Sequence, residues 1–121
     1  MAQILIIEDN VEFRNVLKDL LERNNYSVET AENGALGVRM YRENSADLVI
    51  TDMIMPVKGG SQTILDIKKD YPRVKFIAIS GGGLGTAEEY LEVARVLNAR
   101  YTFKKPFSNE EFLQAVKSLI G

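Results

Sequence analysis

The sequence contains no cysteine and no histidine among its 121 residues. The absence of cysteine excludes a disulfide scaffold, a thiolate zinc site and a cysteine nucleophile, and it fits a reducing compartment. The absence of histidine means that any chemistry needing an imidazole as base, nucleophile or metal ligand must take it from another molecule. Chemistry carried by this chain alone must therefore use other side chains.

The sequence also lacks an excess of basic charge and a long apolar run. Its 17 acids and 15 bases give a formal charge of −2, so no basic field draws the chain to nucleic acid or anionic lipid. No apolar run approaches the ~20 residues of a membrane span, and the N-terminal segment MAQILIIEDN reaches two acids before it could form a signal-peptide core. We therefore expect a cytoplasmic protein that binds neither DNA directly nor a membrane.

Short apolar runs of strand length alternate along the chain with longer segments of helical period. Continuous runs rich in Ile and Val predict strands covered on both faces, as in a parallel sheet, at residues 3–7, 48–51 and 75–80. Residues 26–31 and 101–104 are weaker runs that suit edge or near-edge strands.

Apolar residues at helical spacing predict five amphipathic helices, which include residues 13–21, 33–44, 64–71, 90–97 and 112–119. Ser108 and Glu111 form a capping box before the last helix. Five strand–helix pairs joined by right-handed crossovers predict one doubly wound α/β domain over residues 1–121. This pattern leaves the strand order open.

Polar side chains lie at the carboxyl ends of the predicted strands, where ligands bind in open α/β sheets. They are Glu8 and Asp9 after the first strand, Asp52 after the third, Ser80 in the fourth and Lys105 after the fifth. Carboxylates held close together repel, and some take up protons unless a cation lies among them. Oxygen ligands suit Mg²⁺, and a metal-neutralised carboxylate beside a lysine and a hydroxyl suits the receipt of a phosphoryl group.

The motifs IIEDN, LVITDMIMPVKGG, IAISG and FKKPF, in this order across almost the whole chain, resemble the receiver domain of two-component response regulators. The resemblance implies a flavodoxin-like (βα)5 sandwich with a five-stranded parallel sheet of order 2-1-3-4-5. It implies a phosphohistidine donor, either a histidine kinase or a histidine phosphotransferase, which accounts for the missing histidine. It also implies a downstream protein target or output domain bound through helix 4 and strand 5, and a homodimer formed on phosphorylation is left open.

The resemblance also implies a role for each polar residue. Asp52 is the phospho-acceptor, Ser80 hydrogen-bonds the phosphoryl oxygens, and Lys105 pairs with the phosphoryl charge. The implied Mg²⁺ ligands are Asp9 directly, Glu8 directly or through a water, Asp52, and the backbone carbonyl of Met53. In the family, the bond from this lysine to the following proline, here Pro106, is commonly cis and aims the lysine inward.

The sequence departs from the family three residues before Lys105, where receivers commonly carry a Tyr or Phe that moves inward on activation. Thr102 stands at this position, and its neighbours Tyr101 and Phe103 point to the opposite face of the strand. Either Thr102 switches in a smaller way, or movement of the glycine-rich segment 81–85 carries the signal.

Two further positions bear on the lifetime of an aspartyl-phosphate. Ile54 and Gly82, two residues beyond Asp52 and Ser80, cannot orient an attacking water, so we expect slow hydrolysis without a phosphatase. Segment 81–85 lacks the Lys-Ser/Thr ending of a Walker loop and the G-x-G-x-x-G spacing, which argues against a nucleotide site.

Three other functions deserve comparison with the receiver. A phosphatase of the haloacid dehalogenase type also uses an Asp nucleophile with Mg²⁺, but it carries a second Asp two residues later, where this chain has Ile54. A flavodoxin-like cofactor binder needs a phosphate-binding loop, and none is evident. A degenerate receiver acting as a scaffold would have lost phosphorylation residues, and all of them are present.

Overall fold

Strands and helices alternate along the chain in the computed structural model, which describes residues 1–55, 57–81 and 87–121. The strands are β1 (Gln3–Ile7), β2 (Ser27–Ala31), β3 (Leu48–Asp52), β4 (Phe76–Gly81) and β5 (Tyr101–Lys105). The helices are α1 (Val11–Arg23), α2 (Gly34–Glu43), α3 (Gly60–Asp70), α4 (Ala87–Val96) and α5 (Asn109–Ile120). The predicted alternation is confirmed, and no predicted strand end is displaced by more than one residue.

The strands form one parallel sheet in the order β2-β1-β3-β4-β5, as the resemblance implied. The order reverses between β1 and β3, which lie side by side with Ile7 opposite Thr51. On the other side of β3, Asp52 pairs with Ile79 of β4. The residues that follow β1 and those that end β3 and β4 therefore meet at one edge of the sheet.

Apolar side chains fill a layer on each face of the sheet, because successive residues of a strand point to opposite faces. All five residues of β3 are buried, which explains its continuous apolar run. One layer includes Leu5, Ile7, Val49, Ile64 and Phe76, and the other includes Ile4, Ile6, Leu17, Ile50 and Phe112. Each such side chain contributes roughly 1.5–3 kcal/mol when it is fully buried. β5 is only partly covered, as expected of an edge strand.

Side-chain caps fix where helices begin after the strands. Asn10 follows the acidic pair directly, and its Oδ1 accepts a hydrogen bond from the Phe13 N–H at 2.9 Å, which starts α1 at once. Ser108 Oγ accepts from the Glu111 N–H at 3.3 Å. This is one half of the predicted capping box; the reciprocal bond is not among the hydrogen bonds between described residues.

The start of α3 packs tightly against the end of β3 through Gly60. A Cβ atom added to Gly60 would lie 2.4 Å from the Asp52 carbonyl oxygen and 2.7 Å from the Met53 Cα. Only glycine allows this approach, which accounts for the second glycine of the motif VKGG. Within the described ranges, no helix combines the length and apolar character needed to span a bilayer.

Candidate functional site

Three carboxylates meet at the carboxyl edge of the sheet. Glu8, Asp9 and Asp52 each offer one oxygen that lies within 4.8 Å of the other two. Glu8 and Asp52 are only 2% and 6% exposed, whereas Asp9 is open to solvent. The sequence-predicted acidic cluster is therefore present, with two of its members held in the protein interior.

Lys105 reaches from the end of β5 across to this cluster. Its Nζ donates to Glu8 Oε1 at 3.0 Å and to Asp52 Oδ2 at 3.2 Å. The Lys105–Pro106 peptide bond is cis, as the resemblance implied. One ammonium group thus bridges two buried carboxylates that belong to neighbouring strands.

The charges of the cluster perturb one another. Burial, and after it the Asp52 charge, raise the pKa of Glu8 to about 7, against the opposing effect of hydrogen bonds from the Asn10 N–H and Lys105. Burial alone would lower the pKa of Lys105, but the Asp52 and Glu8 charges outweigh it and raise that pKa. Lys105 is therefore held as a cation at neutral pH, while Glu8, one of the carboxyls it bridges, binds a proton more readily than an exposed carboxyl does.

Both oxygens of the Asp52 side chain are held in place. Oδ1 accepts a hydrogen bond from the backbone N–H of Ile54 at 3.0 Å, and Oδ2 accepts from Lys105. The carboxylate stands at the end of a strand that is buried throughout. Its orientation is consequently set by the Ile54 backbone on one side and by the Lys105 ammonium on the other.

Ser80 carries a buried hydroxyl that has no hydrogen-bond partner among the described residues. The residue is fully buried, and its Oγ makes no hydrogen bond within the described part of the chain. An unsatisfied buried hydroxyl costs about 1–3 kcal/mol. A group that costs stability in the free protein is a candidate to bind something that arrives later.

Met53 is the predicted backbone ligand, and its carbonyl is already engaged. The Met53 oxygen accepts a hydrogen bond from the Gly60 N–H at 3.1 Å. A carbonyl oxygen has two lone pairs, so one of them remains for another partner.

Thr102 belongs to β5, and its side chain bonds to α4 and not to the carboxylates. Its Oγ1 accepts a hydrogen bond from Arg95 Nη2 at 3.2 Å, and Arg95 Nη1 also donates to Glu92 Oε2 at 2.9 Å. Its neighbours point to the other face as predicted: Phe103 packs on Phe107 and Phe112 with ring centroids 5.2 and 5.6 Å apart. The interpretation of segment 81–85 and of Gly82 rests on residues 82–85, which lie outside the described ranges.

Two residues of α1 contact the site, and the sequence did not predict these contacts. The Phe13 ring centroid lies 4.1 Å from Lys105 Nζ, and Arg14 Nη1 donates to the Glu8 carbonyl oxygen at 2.8 Å. Phe13 was interpreted only as one of the apolar residues of a helix. Its place one turn after Asn10 was the available signal, because that turn follows the acidic pair directly.

Comparison with known proteins agrees with this geometry. The model of the response regulator receiver domain family matches residues 4–117. The chemotaxis protein CheY of Halobacterium salinarum is 30% identical over 98% of this chain and 96% of its own length, and that of Bacillus subtilis is 31% identical over 98% of each. A crystal structure of a response regulator receiver domain protein from Clostridium thermocellum is 32% identical, with a TM-score of 0.89 over 99% of this chain and 94% of that chain.

Proposed function

The chain belongs to the response regulator receiver domain family, whose members are phosphoryl acceptors in signalling, and we propose that Asp52 is its acceptor residue. The observation that carries the proposal is the bridge of Lys105 between Asp52 and Glu8, at 3.2 and 3.0 Å. It holds a carboxylate nucleophile and a cation together in a buried setting, beside a second buried acid.

The reaction that we propose uses the histidine of a partner. An Asp52 oxygen attacks the phosphorus of a phosphohistidine; the O–P bond forms, the P–N bond breaks, and the imidazole leaves with the electron pair. A carboxylate oxygen is the nucleophile, so the attack needs no general base. Lys105 pairs with the phosphoryl oxygens, and the Ser80 hydroxyl donates to one of them, which would satisfy its orphaned group.

The residues at the site fit Mg²⁺. Three carboxylate oxygens converge, and the Asp52 charge is, after burial, the second cause of the raised pKa of Glu8, so the acids repel one another despite Lys105. Asp9 and Asp52 would hold the ion directly, and Glu8 directly or through a water. When bound, the ion would shield the charge between the nucleophile and the phosphoryl oxygens.

Two neighbouring backbone carbonyls are candidates for the remaining ligand of this set. Met53 keeps one lone pair beside its bond from Gly60. The next carbonyl, that of Ile54, accepts no backbone hydrogen bond from a described residue. Met53 stays the predicted ligand, and Ile54 is its structural competitor.

The chain is a signalling phospho-acceptor, and the residues around Asp52 also bear on how fast an aspartyl-phosphate is hydrolysed. We propose that it promotes its own phosphorylation and only slow dephosphorylation. Ile54 is apolar and 42% exposed, so at this position no side-chain group orients a water toward Asp52. The family match does not support a phosphatase of the haloacid dehalogenase type, which needs an acid there.

Receiver domains work with histidine kinases and with output targets. For this chain we propose a histidine kinase or histidine phosphotransferase as donor, and a protein target or output domain that reads the face formed by α4 and β5. The two CheY relatives are chemotaxis proteins by name, which favours output by protein docking. The cytoplasmic location and a phosphorylation-dependent homodimer stay predictions.

Incubation with phosphoramidate and Mg²⁺, followed by intact mass and peptide mapping, tests the proposal. The parent should gain one phosphoryl group on Asp52, and Asp52→Asn should gain none. Asp19→Asn, an exposed acid on α1, serves as the matched control and should react like the parent. A parent that gains no phosphoryl mass, or an Asp52→Asn variant that gains as much as the parent, contradicts the assignment.

A further inference from the structure

The ammonium group of Lys105 has three neighbours, of which one is an aromatic face. Glu8 Oε1 and Asp52 Oδ2 accept hydrogen bonds from it, and the Phe13 ring centroid lies 4.1 Å from Nζ. An ammonium has three N–H donors. Two of these donors point to carboxylates. The third side of the ammonium faces the Phe13 ring, whose negative face attracts the positive charge.

Phe13 is itself held firmly in this place. The Asn10 cap accepts a hydrogen bond from its backbone N–H at 2.9 Å, which fixes the residue in the first turn of α1. Its ring meets the Phe107 ring edge-on, with centroids 6.0 Å apart and planes at 89°. Phe107 packs in turn on Phe103 and Phe112 at 5.2 and 5.3 Å. The ring is therefore a fixed surface, backed by an aromatic cluster on the α1 and α5 side of the sheet.

Lys105 needs such a surface, because four flexible bonds join its charge to the backbone. Two carboxylates attract the charge, but either could capture it alone. The stem passes Gly81, where an added Cβ would lie 3.6 Å from the Lys105 Cδ, an ordinary contact distance. Glycine at position 81 therefore leaves that side of the stem open, and the Phe13 ring is the group that limits the ammonium at the tip.

We propose that Phe13 is a positioning residue for phosphoryl transfer, holding the Lys105 ammonium between Glu8 and Asp52 where the phosphoryl oxygens arrive. This inference rests on the proposed role of Asp52. Attraction to a ring face is less directional than a hydrogen bond. The ring thus keeps the charge at the site while Lys105 exchanges the Asp52 oxygen for a phosphoryl oxygen.

Replacement of the ring tests this role in two ways. Phe13→Leu keeps apolar bulk and removes the aromatic face, and pentafluorophenylalanine at position 13 keeps the shape and reverses the quadrupole. We expect each to slow phosphorylation by phosphoramidate by about tenfold. Phe13→Tyr keeps the aromatic face, so its rate of phosphorylation should stay close to that of the parent.

A spectroscopic readout separates positioning from a structural role. The Lys105 Hε protons should show an upfield ring-current shift in the parent and in Phe13→Tyr, and Phe13→Leu should lose it. Phe103→Leu is the matched control, because it removes a ring of the same cluster and leaves the Phe13 contact intact. It should keep both the shift and the rate, even if it lowers stability as much as Phe13→Leu.

The outcomes for Phe13 and for Asp52 are separable. Unchanged rates in Phe13→Leu and in the fluorinated variant, with the parent still phosphorylated on Asp52, would overturn the role of Phe13 alone. Equal losses of rate in Phe13→Leu and Phe103→Leu would also overturn it, since the effect would then be structural. Failure of the proposed function appears instead as phosphorylation that survives Asp52→Asn, whatever the ring-current shift shows.

Discussion

The carboxyl and amino edges of the sheet each carry a cluster of charged side chains, of opposite sign, and the clusters differ in how fully their charges are satisfied. At the carboxyl edge, three acids share one lysine. At the amino edge, a groove of about 690 Å³ is lined by five cationic residues and by no acid: Lys68, Arg73, Lys75, Arg95 and Arg100. Composition alone would make the basic groove as good a candidate site as the acidic cluster.

Hydrogen bonding separates the two edges. Lys68 Nζ donates to the Leu97 carbonyl at 2.7 Å, just beyond α4, and Lys75 Nζ donates to the Leu119 carbonyl in the last turn of α5 at 3.2 Å. Cations at helix C-termini offset the helix dipole. These two lysines therefore complete the ends of the helices, and their charges are explained by the fold.

The carboxyl edge shows the reverse condition. Glu8 is buried with a raised pKa, and the Ser80 hydroxyl is buried without a described partner. Groups held in an unfavourable state by a stable fold are characteristic of functional sites. The functional edge of this sheet is therefore marked by buried polar groups whose hydrogen-bond or charge partners are incomplete among the described residues. The sign and the density of charge distinguish it less well.

Removal of the bridging cation should give the largest difference between the edges. Lys105→Met should slow phosphorylation of Asp52 by roughly 10²–10³-fold, the usual loss when a charge-stabilising donor is removed. Lys75→Met, the counterpart at the amino edge, should leave the rate unchanged and lower only stability. Rates measured with phosphoramidate and Mg²⁺ test this, and equal losses in the two variants would break the comparison.

The next effect is on stability and concerns Glu8. Because its folded pKa is raised from 4.5 to about 7, the folded state binds more protons than the unfolded state between these values. The Mg²⁺-free protein should therefore lose stability as pH rises from about 4.5 to 7, by at most about 3 kcal/mol. The penalty is absent below this window and complete above it.

Urea unfolding across this pH window measures the Glu8 contribution. Glu8→Gln should flatten the decline, and added Mg²⁺ should reduce it in the parent. Asp47→Asn is the control at the amino edge, where Asp47 Oδ2 accepts from the Gln3 N–H at 2.8 Å; it should leave the decline in place. A pH slope that survives Glu8→Gln would show that other groups cause it.

A smaller effect of opposite sign is expected at Ser80. Ser80→Ala removes the unsatisfied hydroxyl and should raise the free energy of unfolding of the unphosphorylated protein by about 1 kcal/mol. Loss of the donor should at the same time slow phosphorylation. A variant that gains stability and loses rate would sharpen the comparison, whereas a loss of stability would mean that the hydroxyl has a partner in the free protein.

The fold was predictable from the sequence because burial imposes simple periods on it. The run that forms β3 is apolar throughout since both of its faces are covered. Strand order was not predictable from these periods, which say nothing of which strands are neighbours; it came from the resemblance. The acids at the site were predictable because parallel strands bring their carboxyl ends to one edge.

The contacts within the site were less predictable. Helical period places Phe13 on the covered side of α1, yet it cannot say that the ring meets a lysine 92 positions later in the sequence. The bond from Arg95 to Thr102 was also not predictable, because the resemblance marks Thr102 only as a replacement for an aromatic ring and Arg95 belongs to no motif. Pairings between distant elements depend on the packing of the sheet, which local pattern does not encode.

The smallest effect should come from Thr102, and it bears on which face of β5 carries the signal. Thr102→Val keeps the shape and removes the acceptor of the Arg95 bond, a half-exposed contact worth less than about 1 kcal/mol of stability. If Thr102 changes conformation when Asp52 is phosphorylated, its bond with Arg95 breaks or forms. The Arg95 Nη resonances should then move in the parent and stay in place in Thr102→Val. Phe103→Leu, on the opposite face of the strand, should keep the movement. Movement retained in Thr102→Val would show that the signal reaches α4 by another route than this hydroxyl.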